Sequence, residues 1–411
     1  MNNILFVAYG GGHVAMLAPI AKRLICLERC VTFLALTTAR SVLDRHGIPA
    51  IGFSNLPEAA EDDSLKWGEL LAKDLPSCGP VSREETIAYL GASYRDLVNE
   101  LGEVEARRRY EESGRHAFLP VSTMRRFIKR IAPNLVIATN SPRAERAAIL
   151  AAGQLGIPSL CAVDLFALQE VQWIGQAGYA TRVCVLNEYV RKLLLAHDRK
   201  PEEVVVTGNP AFERLMEKEV VKQGKQLRED RGWNDGKKII LWASQVEPER
   251  HPFNGLSGDP TLPRRVEKRL RDIVADNENF RLVVRYHPSE RVVFESATRV
   301  DYSPVSEPIG ALLHAVDVVV VTASTVGLEA AFAGRPVISI DNSIFTPDNK
   351  FAEFGISRGV NDLNDLNVAL EDALDYEGSV YAQGQSNEGA TQKIIDVIDS
   401  LLVCNDKKTI C

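Results

Sequence analysis

No stretch of the sequence approaches the ~20 consecutive apolar residues that a membrane-spanning helix needs. The first residues run straight into an apolar segment, with no basic leader or small-residue cleavage site, and a cytoplasmic protein is expected. Cysteine is sparse and unpatterned. Seven residues, an odd number without disulfide-type spacing, fit a reducing compartment. Cys26 and Cys30 are spaced to face each other one helical turn apart, but no histidine or further cysteine accompanies them. A structural or incidental role is expected there rather than a metal site. An excess of positive charge is also missing. The formal net charge of −7 argues against nucleic acid as the main partner, since a phosphate backbone selects basic surfaces; a local basic pocket for one small anion stays open. No zinc-ligand spacing, P-loop or Ser-His-Asp arrangement is readable.

What is present is an ordinary globular composition, 45% apolar and 25% charged, in a chain of 411 residues, long for a single core. Asn3 to Ala8 reads as a buried strand, followed by Gly10-Gly11-Gly12-His13 and a helix from Val14 to about Leu27. Val31 to Leu36 and Ala50 to Phe53 read as second and third strands, the opening of a doubly wound parallel sheet. A charged, mostly helical insertion covers about 54–120. Alternation then returns, with strands at Leu135 to Thr139, Ser159 to Val163, Arg182 to Leu186 and Glu203 to Thr207. Gly208-Asn209-Pro210 breaks the pattern, and the next ~25 polar residues read as an interdomain linker. A second series starts at Lys238, with strands at Ile239 to Ala243, Arg281 to Arg285, Val316 to Val321 and Pro336 to Ile340. The expected domains are 1–209 and 236–385, with a closing helix at 386–403 packed back on the first domain and a loose tail from Cys404.

Four places carry candidate chemistry. The glycine loop places Gly12 and His13 at a strand-to-helix turn, where backbone approaches a bound group closely. The second strand ends Leu36-Thr37-Thr38 and offers no ribose-binding acid, so a dinucleotide fingerprint is a poor fit. A neutral His13 there suits a general base that takes a proton from an acceptor hydroxyl; the plain alternative is a tight turn with a helix-capping histidine. At Thr322-Ala323-Ser324-Thr325 a buried strand meets a helix N-terminus, an anion site suited to a diphosphate, and the Glu329 carboxylate one turn on can bind a ribose diol. An ordinary Ser N-cap with a solvated glutamate is the competing reading. Arg285 and His287, in Arg285-Tyr286-His287-Pro288, end a strand where open α/β sheets bind ligands and could contact phosphate; a turn, including one with a cis proline, competes. Ser244 and Gln245 follow the first strand of the second series at the same edge. Asp164 ends a strand of the first series, as a second acid or base or as a cap.

Taken together, the glycine–His loop, Val206-Thr207-Gly208-Asn209-Pro210, Ser244-Gln245 and the block from Ser324 to Pro336 resemble the GT-B nucleotide-sugar enzymes. The nearest patterns are peptidoglycan N-acetylglucosaminyltransferases of the MurG type and UDP-N-acetylglucosamine 2-epimerases. The resemblance spans both domains but not the insertion. It implies two Rossmann-like doubly wound domains facing a central cleft, a metal-independent reaction without a cofactor, and a nucleotide sugar as substrate. By position it implies Ser244, Ser324 and Thr325 at the diphosphate and Glu329 at the ribose. It puts the loop near Ser306 to Ile309 at the base, Asp348 and Asn349 at the donor sugar, and His13 near the acceptor. Two departures stand out. The 2-epimerases carry basic residues in the first loop where this chain has Gly-Gly-His, and the Thr325 to Glu329 spacing is one residue longer than in the MurG pattern. The His-Pro and Ser-Thr motifs also resemble bacterial sialyl- and Kdo-transferases, which use CMP-sugars, with His287 then a donor residue.

The implied activity is an inverting glycosyltransferase acting in cell-surface polysaccharide synthesis, with a UDP-sugar favoured over a CMP-sugar. Its acceptor would be a glycan, a lipid-linked molecule or a small molecule. A hydrolase or 2-epimerase on the same scaffold is the alternative, since a glycine–His loop also resembles that of a UDP-sugar hydrolase of pseudaminic acid synthesis. A non-catalytic nucleotide-sugar binder is the third. The basic cluster Arg107 to Arg109 with Arg125, Arg126, Lys129 and Arg130 is expected to be a solvated face; an anionic acceptor or peripheral contact with a membrane surface is the functional reading. The oligomeric state is not specified.

Overall fold

The computed structural model describes residues 2–76, 79–252, 254–375 and 389–408. The chain divides into two compact units, one formed by 1–211 with 388–411 and the other by 212–387.

The first unit holds a six-stranded sheet: β1 (Asn3–Ala8), β2 (Cys30–Ala35), β3 (Leu135–Thr139), β4 (Ser159–Ala162), β5 (Arg182–Val185) and β6 (Val204–Val206). Their order is β2-β1-β3-β4-β5-β6, and every pairing is parallel. Helices cover both faces of such a sheet, which is why its strands are apolar throughout rather than alternating. Ile4 to Ala8 and Leu135 to Ala138 are fully buried. The segment expected as a third strand, Ala50 to Phe53, contributes only one bridge, Ile51 to Leu34, before a 3-10 turn at Phe53–Asn55. Cys26 and Cys30 do not share a helix either: Cys26 ends the Gly12–Cys26 helix and Cys30 begins β2.

The segment between β2 and β3 contains helices Asp62–Ala72, Arg83–Leu101 and Glu103–Ser113. The first two touch backbone to backbone. A Cβ on Gly91 would lie 1.8 Å from the Ser64 carbonyl oxygen, and one on Gly68 2.2 Å from that of Ile87. Arg95, buried in this pair, donates to the Glu58 carbonyl (2.8 Å) and to Thr123 Oγ1 (3.1 Å) and pairs with Glu61, which fastens the segment to the Val121–Ile131 helix. The closing helix Ala390–Lys408 belongs to this unit, and Ile394, Ile395 and Ile398 join the cluster of Leu17, Ile20 and Leu24. The tail expected to be loose from Cys404 continues this helix to Lys408, and 409–411 lie outside the described residues.

The second unit has its own parallel sheet: β7 (Lys238–Ala243), β8 (Phe280–Arg285), β9 (Val300–Tyr302), β10 (Val318–Val321), β11 (Val337–Ile340) and β12 (Arg358–Val360). The order is β12-β11-β10-β7-β8-β9, the doubly wound pattern in which direction reverses beside the first strand. The polar stretch after Pro210, expected as a linker, is a 3-10 turn at Pro210–Met216 and then a helix, Lys218–Asp230. Its polarity hid it because it docks through little apolar surface. Gly224 lets it lie against His314 and Ala311 of the Ile309–Ala315 helix, and Arg228 pairs with Asp317 (3.1 Å). The boundary expected at 385–386 lies outside the described residues. No described helix is long and apolar enough to cross a membrane.

Candidate functional site

Open α/β sheets bind ligands beyond the carboxyl ends of their strands, where the strand order reverses. In the first unit that point lies between β1 and β3, whose register sets Val7 beside Ala138. The loop after β1 therefore meets Thr139. Gly10 packs closely there, since a Cβ would come 1.8 Å from Thr38 Oγ1, and Gly11 sits at φ 70°. Gly12 opens the helix, and His13 follows, one quarter exposed.

His13 Nδ1 is 2.5 Å from Thr139 Oγ1, and that hydroxyl donates to the Glu145 carboxylate. Glu145 is fully buried and also accepts from Tyr9 N (2.6 Å) and Ser141 N (3.3 Å). With its proton turned to Glu145, Thr139 can only accept from His13. The Nδ1–H tautomer follows, and the Nε2 lone pair is left for other work. Burial pushes the Glu145 carboxyl up, while His13, Thr139 and the two N–H groups pull it back. Another carboxylate stands close. Asp164 Oδ2 is 4.0 Å from His13 Nδ1, and Glu170 is raised by burial and, more weakly, by the Asp164 charge. Asn209 of the Gly-Asn-Pro motif, itself buried, donates to the Asp164 carbonyl (2.7 Å) and accepts from Ala211 N (2.9 Å). Thr37 (φ 52°) and Ala167 (φ 53°) hold left-handed backbone in the neighbouring loops, and Thr37 Oγ1 accepts from Gly10 N (3.3 Å).

In the second unit the reversal lies between β7 and β10. Val320 pairs with Trp242, so Ser244 and Gln245 emerge beside Thr322, which donates to Gln245 Oε1 (3.3 Å). Ser324 caps the Thr325–Phe332 helix by accepting from Val326 N (3.3 Å), and Thr325 is exposed. Asn349 Nδ2 donates to the Ala323 carbonyl (3.1 Å), bringing its loop to the same edge. Glu329, one turn into the helix, is mostly buried. Burial raises its carboxyl, offset by Arg214 at 3.4 Å and then by Arg285.

Other candidates already have protein partners. Ser244 Oγ donates to Glu290 (3.0 Å) and accepts from Arg264 (2.8 Å). Glu290 also accepts from His287 N (2.7 Å), so one carboxylate organises both the Ser-Gln and His-Pro motifs. His287 Nδ1 accepts from Ser289 N (3.1 Å), leaving an exposed Nε2. No cis peptide is present among the described residues. Arg285 donates to Ser303 Oγ (2.9 Å) and to the carbonyls of Pro304 (2.9 Å), Val305 (3.1 Å) and Glu307 (3.0 Å), and thereby shapes the 303–307 loop. Asp348 accepts from His251 Nε2 (2.7 Å), whose Nδ1 accepts from Asn254 N (3.3 Å). Buried Glu247 holds the same loop through Ser343 Oγ (2.7 Å) and Ile344 N (2.6 Å). Thr139, Glu145, Glu170, Glu247, His251 and Glu290 were not singled out by the sequence reading. Only the position of Thr139 at the end of an apolar strand was a usable signal. The basic run Arg107 to Arg109 pairs with Glu103, Glu105 and Glu112 of its own exposed helix, pairs of small energetic weight. Among the described residues no group of three or more His, Cys, Asp or Glu side chains is arranged to hold a metal ion.

No protein-family model matches the chain, and no curated protein sequence does. Solved structures do resemble it. A UDP-GlcNAc 2-epimerase from Neisseria meningitidis bound to UDP-GlcNAc superposes with a TM-score of 0.58 at 14% identity, covering 97% of this chain and 100% of that one. The UDP-GlcNAc 2-epimerase of Methanocaldococcus jannaschii gives 0.59 at 11% identity, covering 97% and 99%. CalG4, the calicheamicin glycosyltransferase, gives 0.58 at 13% identity, covering 98% of each. The chain has the fold shared by the GT-B glycosyltransferases and the UDP-GlcNAc 2-epimerases: two Rossmann-like units with six parallel strands each.

Proposed function

We propose that the chain is an enzyme of nucleotide-sugar chemistry. In this reading the donor lies on the second unit, and His13 of the first is the general base of an inverting glycosyl transfer. The observation that carries it is the state of His13. Thr139 and Glu145 fix its Nδ1 proton inward, which leaves Nε2 as the basic atom. Nε2 would take the proton of an acceptor hydroxyl as its oxygen bonds to the anomeric carbon. The bond from that carbon to the donor phosphate would break, with its electron pair going to the phosphate oxygen. Free N–H groups at the start of the Thr325–Phe332 helix, with the Ser324 and Thr325 hydroxyls, would receive that charge. Glu329 would accept from the ribose diol, and the 303–307 loop held by Arg285 would face the base. The donor favoured is a UDP-sugar, because the Neisseria relative of this fold was solved with UDP-GlcNAc.

Epimerisation is the second reading. Asp164, 4.0 Å from His13, gives the first unit a second proton-transfer group, as removal and return of a sugar C2 proton require, and two of the similar structures are 2-epimerases. One experiment separates the readings. The protein is incubated with UDP-GlcNAc in D2O, without and then with candidate acceptors, and followed by NMR. Deuterium at C2 without an acceptor assigns epimerisation; free sugar and UDP assign hydrolysis. UDP release that waits for an acceptor supports transfer. Binding without turnover leaves a non-catalytic binder, and no binding of any nucleotide sugar sinks the proposal.

A further inference from the structure

We infer that the first unit carries a pocket for a small acidic acceptor with an apolar body. The inference rests on the transferase reading and names the acceptor class for it. A cavity of about 280 Å³ opens between the end of β2 and the inserted helices, walled by Leu36, Pro80, Val81, Tyr89, Leu90 and Arg115. That volume is at the small end for ligand pockets, roughly one ring or a short chain rather than a length of glycan. The walls are mainly apolar, so an occupant is held by burying an apolar body.

Two links tie this cavity to the base loop. Thr37, which also lines it, accepts from Gly10 N (3.3 Å), three residues before His13. The Tyr89 hydroxyl is 2.8 Å from that of Tyr9, next to Gly10. The charge at this place is positive and unanswered. Among the described residues Arg115 and Arg143 have no ion pair and no side-chain hydrogen bond to protein. Arg143 lies over the Tyr9 ring at 5.0 Å, with its Nε buried and unpartnered. Both guanidiniums act on the Tyr89 hydroxyl electrostatically. The contrast with Arg107 to Arg109, each paired with a glutamate of its own helix, is what marks these two. Glu85 also lines the wall, but its oxygens accept from Phe53 N (2.7 Å), Ser54 N (2.9 Å) and Ser54 Oγ (2.7 Å). An acid entering the cavity meets the Arg115 guanidinium in its wall and the Arg143 charge behind the Tyr9–Tyr89 pair, and a neutral isostere of the same shape gives up the charge-assisted part of that contact.

The test compares 4-hydroxybenzoate with 4-hydroxybenzamide by calorimetry on the full chain, with UDP binding measured alongside. The acid is expected to bind about tenfold more tightly than the amide, the step one charge-assisted contact gives. In the double variant Arg115→Gln/Arg143→Gln the two probes become equal to within about twofold, at unchanged melting temperature and UDP affinity. Val81→Trp, which fills the cavity from a half-buried position, abolishes both. Equal binding of the probes to the wild type, no binding of either, or a preference that survives the double variant overturns the inference while UDP binding leaves the donor reading standing. Failure of UDP to bind strikes that reading instead, and the probe result remains readable.

Discussion

Glu145 reaches His13 through Thr139: the carboxylate oxygen is 3.9 Å from Nδ1, and the threonine hydroxyl between them bonds both. A buried carboxyl thus orients the imidazole through one hydroxyl without touching a substrate.

Replacing His13 by Ala removes the proposed base. Turnover is expected to fall by about 10²- to 10⁴-fold, the usual worth of a positioned base, with nucleotide affinity nearly unchanged. Steady-state rates on the product-forming substrates, together with UDP titrations, check this. Full activity in the variant would rule the base assignment out.

Thr139→Val keeps the shape and deletes the relay hydroxyl, whereas Thr139→Ser keeps the hydroxyl. Valine should lower kcat by roughly tenfold to a hundredfold, as loss of an outer partner of a functional histidine does, and serine should restore it. The pH profile of kcat should move in the valine variant and return in the serine variant, a response that simple loss of packing would not give.

The Glu145 carboxyl is raised by burial, so it holds its proton more tightly folded than unfolded. Its contribution to stability is therefore fully present below the unfolded value of about 4.3 and is lost as pH rises through the folded one. Melting of Glu145→Gln against its parent, both in a His13→Asn background so that the imidazole does not contribute, should shift in favour of glutamine as pH rises above the unfolded carboxyl value. A difference that stays flat with pH contradicts the shift.

Glu329 is raised for the same reason, so its carboxylate form is lost as pH falls through the raised value. If it accepts from a ribose diol, UDP affinity should weaken with acidification more steeply in the wild type than in Glu329→Gln. Glu329→Ala should weaken binding about tenfold or more. Calorimetry across pH reads both effects.

Gly91→Ala drives a methyl group into the Ser64 carbonyl, with backbone on both sides and no side chain able to yield. The expected cost is about 1–3 kcal/mol or more of the first unit's stability. Thermal unfolding should show it without a change in UDP binding. Gly153→Ala, where a Cβ meets nothing within 4 Å, is the control.

The sheets were legible because both of their faces are covered. Runs such as Val318-Val319-Val320-Val321 have no polar face to confuse the period. The glycine loop and the Ser324 turn were legible because glycines and a hydroxyl cap punctuate strand ends. The partners of His13 were not. Thr139 and Glu145 lie 126 and 132 residues along the chain from it and meet it only through the β1–β3 pairing, which one sequence does not encode locally. Glu290 and Glu247 carry no local sequence signal, because their partners come together only when the loops fold round them. The Lys218–Asp230 helix read as linker because it docks through a glycine contact, Val220 against Gly310 and an ion pair, too short an apolar stripe to stand out among its charged residues.

The closing helix has a bearing on how the chain is made. Its isoleucines 394, 395 and 398 complete the apolar cluster around the Gly12–Cys26 helix, yet the whole second unit lies between them in sequence. On a ribosome, synthesis proceeds from the N-terminus, and domains generally fold in that order. Here the earliest strands must wait for nearly the last turn of helix to emerge before their core closes, while the later unit has all its strands in one continuous span. A nascent chain stalled before residue 390 would therefore present a finished second unit joined to a first unit with Leu17, Ile20 and Leu24 uncovered, the kind of surface that chaperones hold.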